Sequence, residues 1–527
     1  MLRLLRLAAF AAMSIACVTG SAVFAQEATP HRGGSIRYVV QADPNTYDCH
    51  ATATAFDLQL LSQHYSTLLR YDTAHYPEIV GDLAEDFSVS DDGLSYHFTL
   101  RPDITFHDGS PLTSADVAAS YERLRNPPEG VTSARKIDFA DIKAIETPDA
   151  RTVIFTLSQP NGAMLSTFAS PWNCIYSKAL MASDPNYPAK RVMGSGAFRF
   201  VAHNPGANWS GERFDGFYIE GQPYLDSFEA VFLTGPGVMN ALLGGQVDAF
   251  FNSLMPPDIA RLQPALGDKI AFAVSDLNIL MLATLNTTKP PFDDARVRRA
   301  FNIAIDRHQG AKVLSQISNL NSFGTILRPG HPYGSAPEAW AKLPGNGEDI
   351  AAAREEAKTL LKEAGVSDLR LEMLSRNIRL PWEVLGVFLI DQWRHIGVQV
   401  DQNVLEAGPY FTRLKNKDYD LAIDFNTLSG DEPSEALAKF LPTAANNYSG
   451  FADQRLTELY AAQKAETDRD ARRKLIAEFE QQVVEDAANI PLFWGKRTSV
   501  LKSDIKGWHV TPSFVVGNRL DEVWLAR

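Results

Sequence analysis

Two β-rich stretches, far apart in the chain, set the strongest limit on what it can fold into. Residues 271–288 read AFAVSDLNILMLATLNTT, and residues 489–502 read NIPLFWGKRTSVLK. The first links an N-terminal region to a helix-richer one. The second is a candidate return path. A chain that crosses twice in this way makes two lobes, with the first lobe split between both chain ends. At 527 residues the chain is long enough for two or three domains of ~100–200 residues each.

Strand-like and helix-like segments are mixed throughout, which gives an α/β chain. SIRYVV (35–40) is apolar and β-rich. LSYHFTL (94–100) and RTVIFTL (151–157) alternate polar and apolar residues, as half-buried strands do. SDDG and TPDA precede them as turn signals, so hairpins or a meander are expected there. DDARVRRAFNIAIDRH (293–308) is expected as one helix, capped by Asp293 or Asp294. EDIAAAREEAKTLLKEAG (348–365) is a second, with Gly365 suited to the left-handed position after its end. Residues 453–466 and 469–487 form a helical pair with a cap at 467–468. LRPGHPYGSAP (327–337) reads as a long surface loop.

The N-terminus carries Arg3 and Arg6, then an apolar run from Leu7 to Val18, then VFA ending at Ala25. That order is a secretory signal peptide over residues 1–25. The apolar run is well short of the ~20 residues that span a bilayer. Removing Arg3 and Arg6 takes the net charge from −13 to −15. The acidic balance and the lack of a long basic run argue against nucleic acid and anionic membranes as partners. No stable membrane insertion is expected, and a periplasm fits an exported protein of this kind. Lipid attachment at Cys17 is an alternative, but Ser14 stands where a lipoprotein signal has an aliphatic residue.

Past residue 25 two cysteines remain, Cys49 and Cys174. In an oxidising compartment they could pair, which would stabilise the fold by about 5 kcal/mol on the chain-entropy account. The residues alone do not show that the two are close. Neither belongs to a Cys-x-x-Cys pair, so no metal site is expected.

Enzyme signatures are absent from the sequence: no Gly-x-Ser-x-Gly, no His-Glu-x-x-His, no phosphate loop. The pair His107-Asp108, in FHDGSPLTSADV, has the residue types of acid–base chemistry. Every polar residue there also has a local use: a turn at DGS, then a helix capped by Thr113 or Ser114. The turn is the better reading, and no catalytic residue and no cofactor are expected.

The same region resembles the family 5 extracellular solute-binding proteins, the peptide-type receptors of bacterial ABC importers. The resemblance runs through 68–124, then GSGAFRF (194–200), GQPYLDSF (221–228), GGQVDAF (244–250) and LNTTKPPFDDARVRRAFNIAIDR (285–307). It implies a two-lobed periplasmic-binding-protein fold of type II with an extra N-terminal subdomain. Lobe I is then 26–280, completed by 490–527, with the subdomain at about 76–190; lobe II is 281–489. It also implies a monomer that closes on a peptide or small solute between the lobes and delivers it to membrane permease subunits.

Carried over segment by segment, TYDCH (46–50) and SPWNCIY (170–176) fall on the lobe I wall of the cleft. That makes Tyr47, His50, Trp172 and Asn173 ligand candidates and puts Cys49 and Cys174 near one another. IDFNTLSGDEPSEAL (423–437) falls on the lobe II wall, with Asn426, Thr427, Ser429 and Asp431 as candidates. Ser429 stands where peptide-binding members have the aspartate that holds the ligand's ammonium. This departure opens the alternative of an opine, glutathione, an oligosaccharide or a metal chelate. Arg376, with Arg379 nearby, could meet an anionic group in bidentate fashion.

Overall fold

The computed structural model describes residues 29–526. The signal-peptide reading and Cys17 fall outside the described residues. One mixed sheet of eleven strands runs through both halves of the molecule. From one edge its order is Gln399–Leu405, Arg370–Arg376, Leu421–Thr427, Ile270–Leu285, Asn489–Lys502, Ala249–Phe250, Ser35–Val40, Ser227–Phe232, Asn208–Arg213 and Phe198–Asn204. The short strand Leu320–Ser322 adds to Asn489–Lys502 off this path.

The two β-rich stretches are the two long strands at the centre. They pair antiparallel from Ile270 opposite Lys502 to Thr284 opposite Asn489. At one end, Leu501 and Val500 also pair with Ala249 and Phe250 respectively, beside the N-terminal strand Ser35–Val40. At the other end, Ile279–Leu285 pairs with Leu421–Thr427. The register breaks between Leu277 and Leu280, between those two neighbourhoods. Bulges of this kind bend and twist a ladder locally.

A separate antiparallel sheet, Ala84–Val89, Ser95–Leu100, Thr152–Leu157 and Ile142–Glu146, forms the extra subdomain. Burial alternates strictly along Thr152–Leu157, as its sequence pattern requires. Helix Ser114–Arg125 lays Val117, Tyr121 and Leu124 on this sheet, and Phe155 and Phe168 meet at 4.7 Å beneath it. Val515 and Val516, from near the C-terminus, join the same core.

Two sequence expectations need correction. Residues 293–308 do not form one helix. Ala295–Ile303 ends at Ala304, and Asp306 caps a new helix, Arg307–Leu314, by accepting from the Gln309 N–H at 2.9 Å. A second capping aspartate, not the apolar stripe, decided the boundary. The 327–337 segment is not a surface loop in its first half: Leu327, Arg328 and His331 are buried. Polar burial of this kind needs partners, and Arg328 has one in Asp431.

Candidate functional site

His107 and Asp108 form a turn. Asp108 accepts from the Ser110 N–H at 3.0 Å and the Ser110 hydroxyl at 2.6 Å. The His107 ring bonds the Gly196 carbonyl at 2.9 Å and packs edge-on against Phe214. Burial pushes its pKa down to about 4, so the ring is neutral. Thr113 starts the following helix, its N–H donating to Asp116 at 2.9 Å.

Cys49 and Cys174 are joined, with Cα atoms 6.0 Å apart and a sequence separation of 125. The disulfide sits in the lobe I core and fixes the start of one segment against the end of the other. His50 is fully buried beside it. One ring nitrogen meets the Cys174 carbonyl at 2.9 Å and the other the Arg123 guanidinium at 3.0 Å. Burial holds its pKa down to about 3. The placement of His50 on the ligand wall is therefore corrected: its ring serves the Arg123–Asp48 network. Tyr47 also turns away, its hydroxyl bonding His203 at 2.7 Å and its ring packed on Trp209.

A cavity of about 680 Å³ opens between the subdomain and the segment 429–464. Trp172 and Asn173 line it on one side, Ser429 and Glu435 on the other. The Trp172 ring carries the Arg135 guanidinium 4.1 Å from its centre. The buried Trp172 Nε1 has no hydrogen-bond partner among the described residues. Asn173 spends its amide on the Thr167 carbonyl at 2.6 Å.

The opposite wall is built by the end of strand Leu421–Thr427 and the loop leading to helix Pro433–Ala438. Asn426 turns inward and donates to the Ala436 carbonyl at 2.9 Å, so it holds the loop and does not face solute. Asp431 is likewise consumed internally: Arg328 pairs with it, and the Asn278 amide donates to it at 2.8 Å. Its assignment as a ligand contact is corrected for that reason. Asn278 also donates to the Gly430 carbonyl at 3.0 Å, and its backbone carbonyl accepts from Leu428 at 3.0 Å. Ser513, from the C-terminal segment, donates to the Ser429 carbonyl at 2.6 Å. Asn278 lies within the register break of the central strands, so the loop is tied to the point where the sheet passes between lobes.

Glu435 is the residue that sequence reasoning missed on this wall. Both its carboxylate oxygens accept from the Ser429 N–H at 2.9 Å. It sits in the first turn of helix Pro433–Ala438, which turns it back over Ser429. The side chain is exposed to the open cavity, with the protein that lines the cavity packed around it. Burial pushes its pKa up to about 7, against the pull of the Ser429 N–H. Asp138, across the cavity, is raised for the same reason, and Arg135 is lowered to about 10 by burial. The acid six residues beyond Ser429 in SGDEPSE was the available signal for Glu435. Arg135 and Asp138, in SARKIDF, gave none.

A smaller cavity of about 170 Å³ flanks the same strand end and is lined by Arg376, Trp382, Phe425 and Thr427. Arg376 stacks 5.2 Å from the Trp382 ring centre and 5.7 Å from that of Phe411. Its buried Nε has no hydrogen-bond partner among the described residues. Arg379 is exposed and lines neither cavity. The structure thus brings Trp172, Asn173 and Ser429 to one cavity and Arg376 and Thr427 to its neighbour.

Known proteins agree with this architecture. A glutathione-binding protein of Pectobacterium atrosepticum is 28% identical over 449 residues, 82% of this chain and 84% of the relative. A dipeptide-binding protein of Escherichia coli is 23% identical over 515 residues, covering 90% and 93%. Among solved structures, an ABC transporter substrate-binding protein of Listeria monocytogenes superposes with a TM-score of 0.83 at 23% identity, covering 94% of this chain and all of that one. A periplasmic binding protein of A. tumefaciens, solved with agropinic acid, gives 0.76 at 24% identity and covers 94% and 99%. These neighbours share the two-lobed type II fold. No helix among the described residues is long and apolar enough to cross a membrane. The description "bacterial extracellular solute-binding proteins, family 5 Middle" matches residues 78–448, and the chain belongs to that family of solute-binding proteins.

Proposed function

We propose that this protein is the periplasmic receptor of an ABC importer and that its solute is peptide-like, with an ammonium at one end and an acidic group at the other. One observation carries this: two charges of opposite sign, both without an ionic partner among the described residues, flank the segment 427–430. Glu435 faces the larger cavity and Arg376 the smaller. An unpaired carboxylate that a bound solute covers is costly unless a cation comes with the solute. A guanidinium stacked on aromatic rings with a free N–H suits a carboxylate. The glutathione and dipeptide receptors among the relatives support such a solute. Glu435 here takes over the charge that Ser429 does not carry.

In this reading lobe I is 26–280 with 490–527 and lobe II is 281–489. Closure about the register break near Asn278 buries the solute, and the closed form docks on the permease subunits. The protein acts as an exported monomer through its signal peptide, without a cofactor and without catalysing a reaction. Native mass spectrometry of the protein purified without refolding, followed by mild denaturation, tests the reading. A released species of about 200–600 Da bearing an amine is expected from a cavity of about 680 Å³. A neutral sugar or a metal chelate would overturn the ligand class.

A further inference from the structure

The far side of the large cavity is closed by contacts that involve no solute. Asp141 opens strand Ile142–Glu146 of the subdomain and is set in place by its own neighbours: the Gln159 and Asn161 amides donate to its carboxylate at 2.8 and 2.9 Å. Lys464, on the lobe II helix Gln454–Ala465, reaches that carboxylate at 2.9 Å. Beside it the Gly162 N–H donates to the Lys464 carbonyl at 2.9 Å, and Arg472 donates to the Gly162 carbonyl at 3.0 Å. Arg472 is also prearranged within its lobe, paired with Glu432 and donating to the Gln463 carbonyl at 3.1 Å. Gly162 is needed for the approach: a Cβ there would stand 2.8 Å from the Glu466 carbonyl oxygen.

Asp141 and Arg472 are each held by partners in their own lobe, so each side of the contact is in place for the lobes to meet. We propose that it is a latch: Asp141 and Lys464 are positioning residues, with Gly162 as the point of close approach, and together they hold part of the population closed before any solute arrives. The latch then sets apparent affinity through the fraction of closed protein, without Asp141 or Gly162 touching the solute. It does not depend on the ligand class proposed above.

The test uses the full exported chain, stripped of solute with its disulfide intact, in small-angle X-ray scattering with thermal unfolding in parallel. Lys464 lines the cavity, so the informative variants are Asp141→Asn, which removes the charge, and Gly162→Ala, which blocks the approach. Each is expected to lower the closed-to-open ratio about fivefold, seen as a larger radius of gyration, with a small change in Tm. Exchanging the charges, Asp141→Lys with Lys464→Asp, is expected to restore the compact profile. Identical scattering from the native chain and both variants, whether compact or open, would overturn the latch. So would a fall in Tm with unchanged scattering, which marks a purely structural contact. If Asp141→Asn does not fold, Gly162→Ala alone decides.

Discussion

Trp172 and Asn173 stand on a wall pinned covalently, two and one residues before the Cys174 end of a disulfide whose sequence separation is 125. Ser429 and Glu435 stand on a wall held by hydrogen bonds and an ion pair, through Asn278, Arg328–Asp431 and Ser513, to the bend of the central strands and to the C-terminal segment. The first wall offers an aromatic surface and a stacked arginine. The second offers Glu435, and its ties run to the register break between Leu277 and Leu280. The difference separates two jobs: the first wall provides a surface fixed by a covalent bond, and the second carries Glu435 on a loop tied to the register break of the central strands.

Breaking the fixed wall should have the largest effect, and on stability. Replacing both Cys49 and Cys174 by serine is expected to cost about 5 kcal/mol in denaturant unfolding. Solute affinity at temperatures where the protein stays folded should fall far less. Breaking the charged wall should do the reverse. Glu435→Gln is expected to weaken the binding of the released solute by about 3 kcal/mol, with the unfolding midpoint nearly unchanged, as read by calorimetry and denaturation together.

The pH dependence sharpens the same contrast. In the empty cleft Glu435 titrates near 7, so below that pH it holds a proton that an incoming ammonium must displace. Affinity should be level above pH 7 and fall by about tenfold per unit below it, with proton release visible in buffers of different ionisation heat. Glu435→Gln should flatten this profile, whereas Trp172→Ala should lower affinity by a similar amount at every pH. The smallest effect is expected at the junction of the walls. A Cβ on Gly430 would stand 3.1 Å from the Tyr71 hydroxyl oxygen, so Gly430→Ala should disfavour closure by about 1 kcal/mol and speed solute release.

Much of the framework was legible because it rests on local rules. The crossover strands declare themselves by length and β-rich content. The caps expected at Asp294 and Asp468 each accept from a backbone N–H of the first turn. The pairing of Cys49 with Cys174 followed from resemblance, not from spacing. The site was less legible because its chemistry depends on where side chains turn. His50 sits in a segment that matches a cleft wall, yet its ring is needed by a buried arginine. Asp431 offered a carboxylate in the right stretch, but Arg328 claims it from a loop that looked exposed. Glu435 reads as an ordinary helix-start acid until the helix folds it over Ser429.

The most direct measurement is a pair of calorimetric titrations on the solute-stripped native protein, one with an unblocked tripeptide and one with the same tripeptide N-acetylated. The account predicts saturable binding of the unblocked form and at least about a hundredfold loss on acetylation, because only the ammonium can meet Glu435. Equal binding of the two forms, or binding of neither, would contradict it.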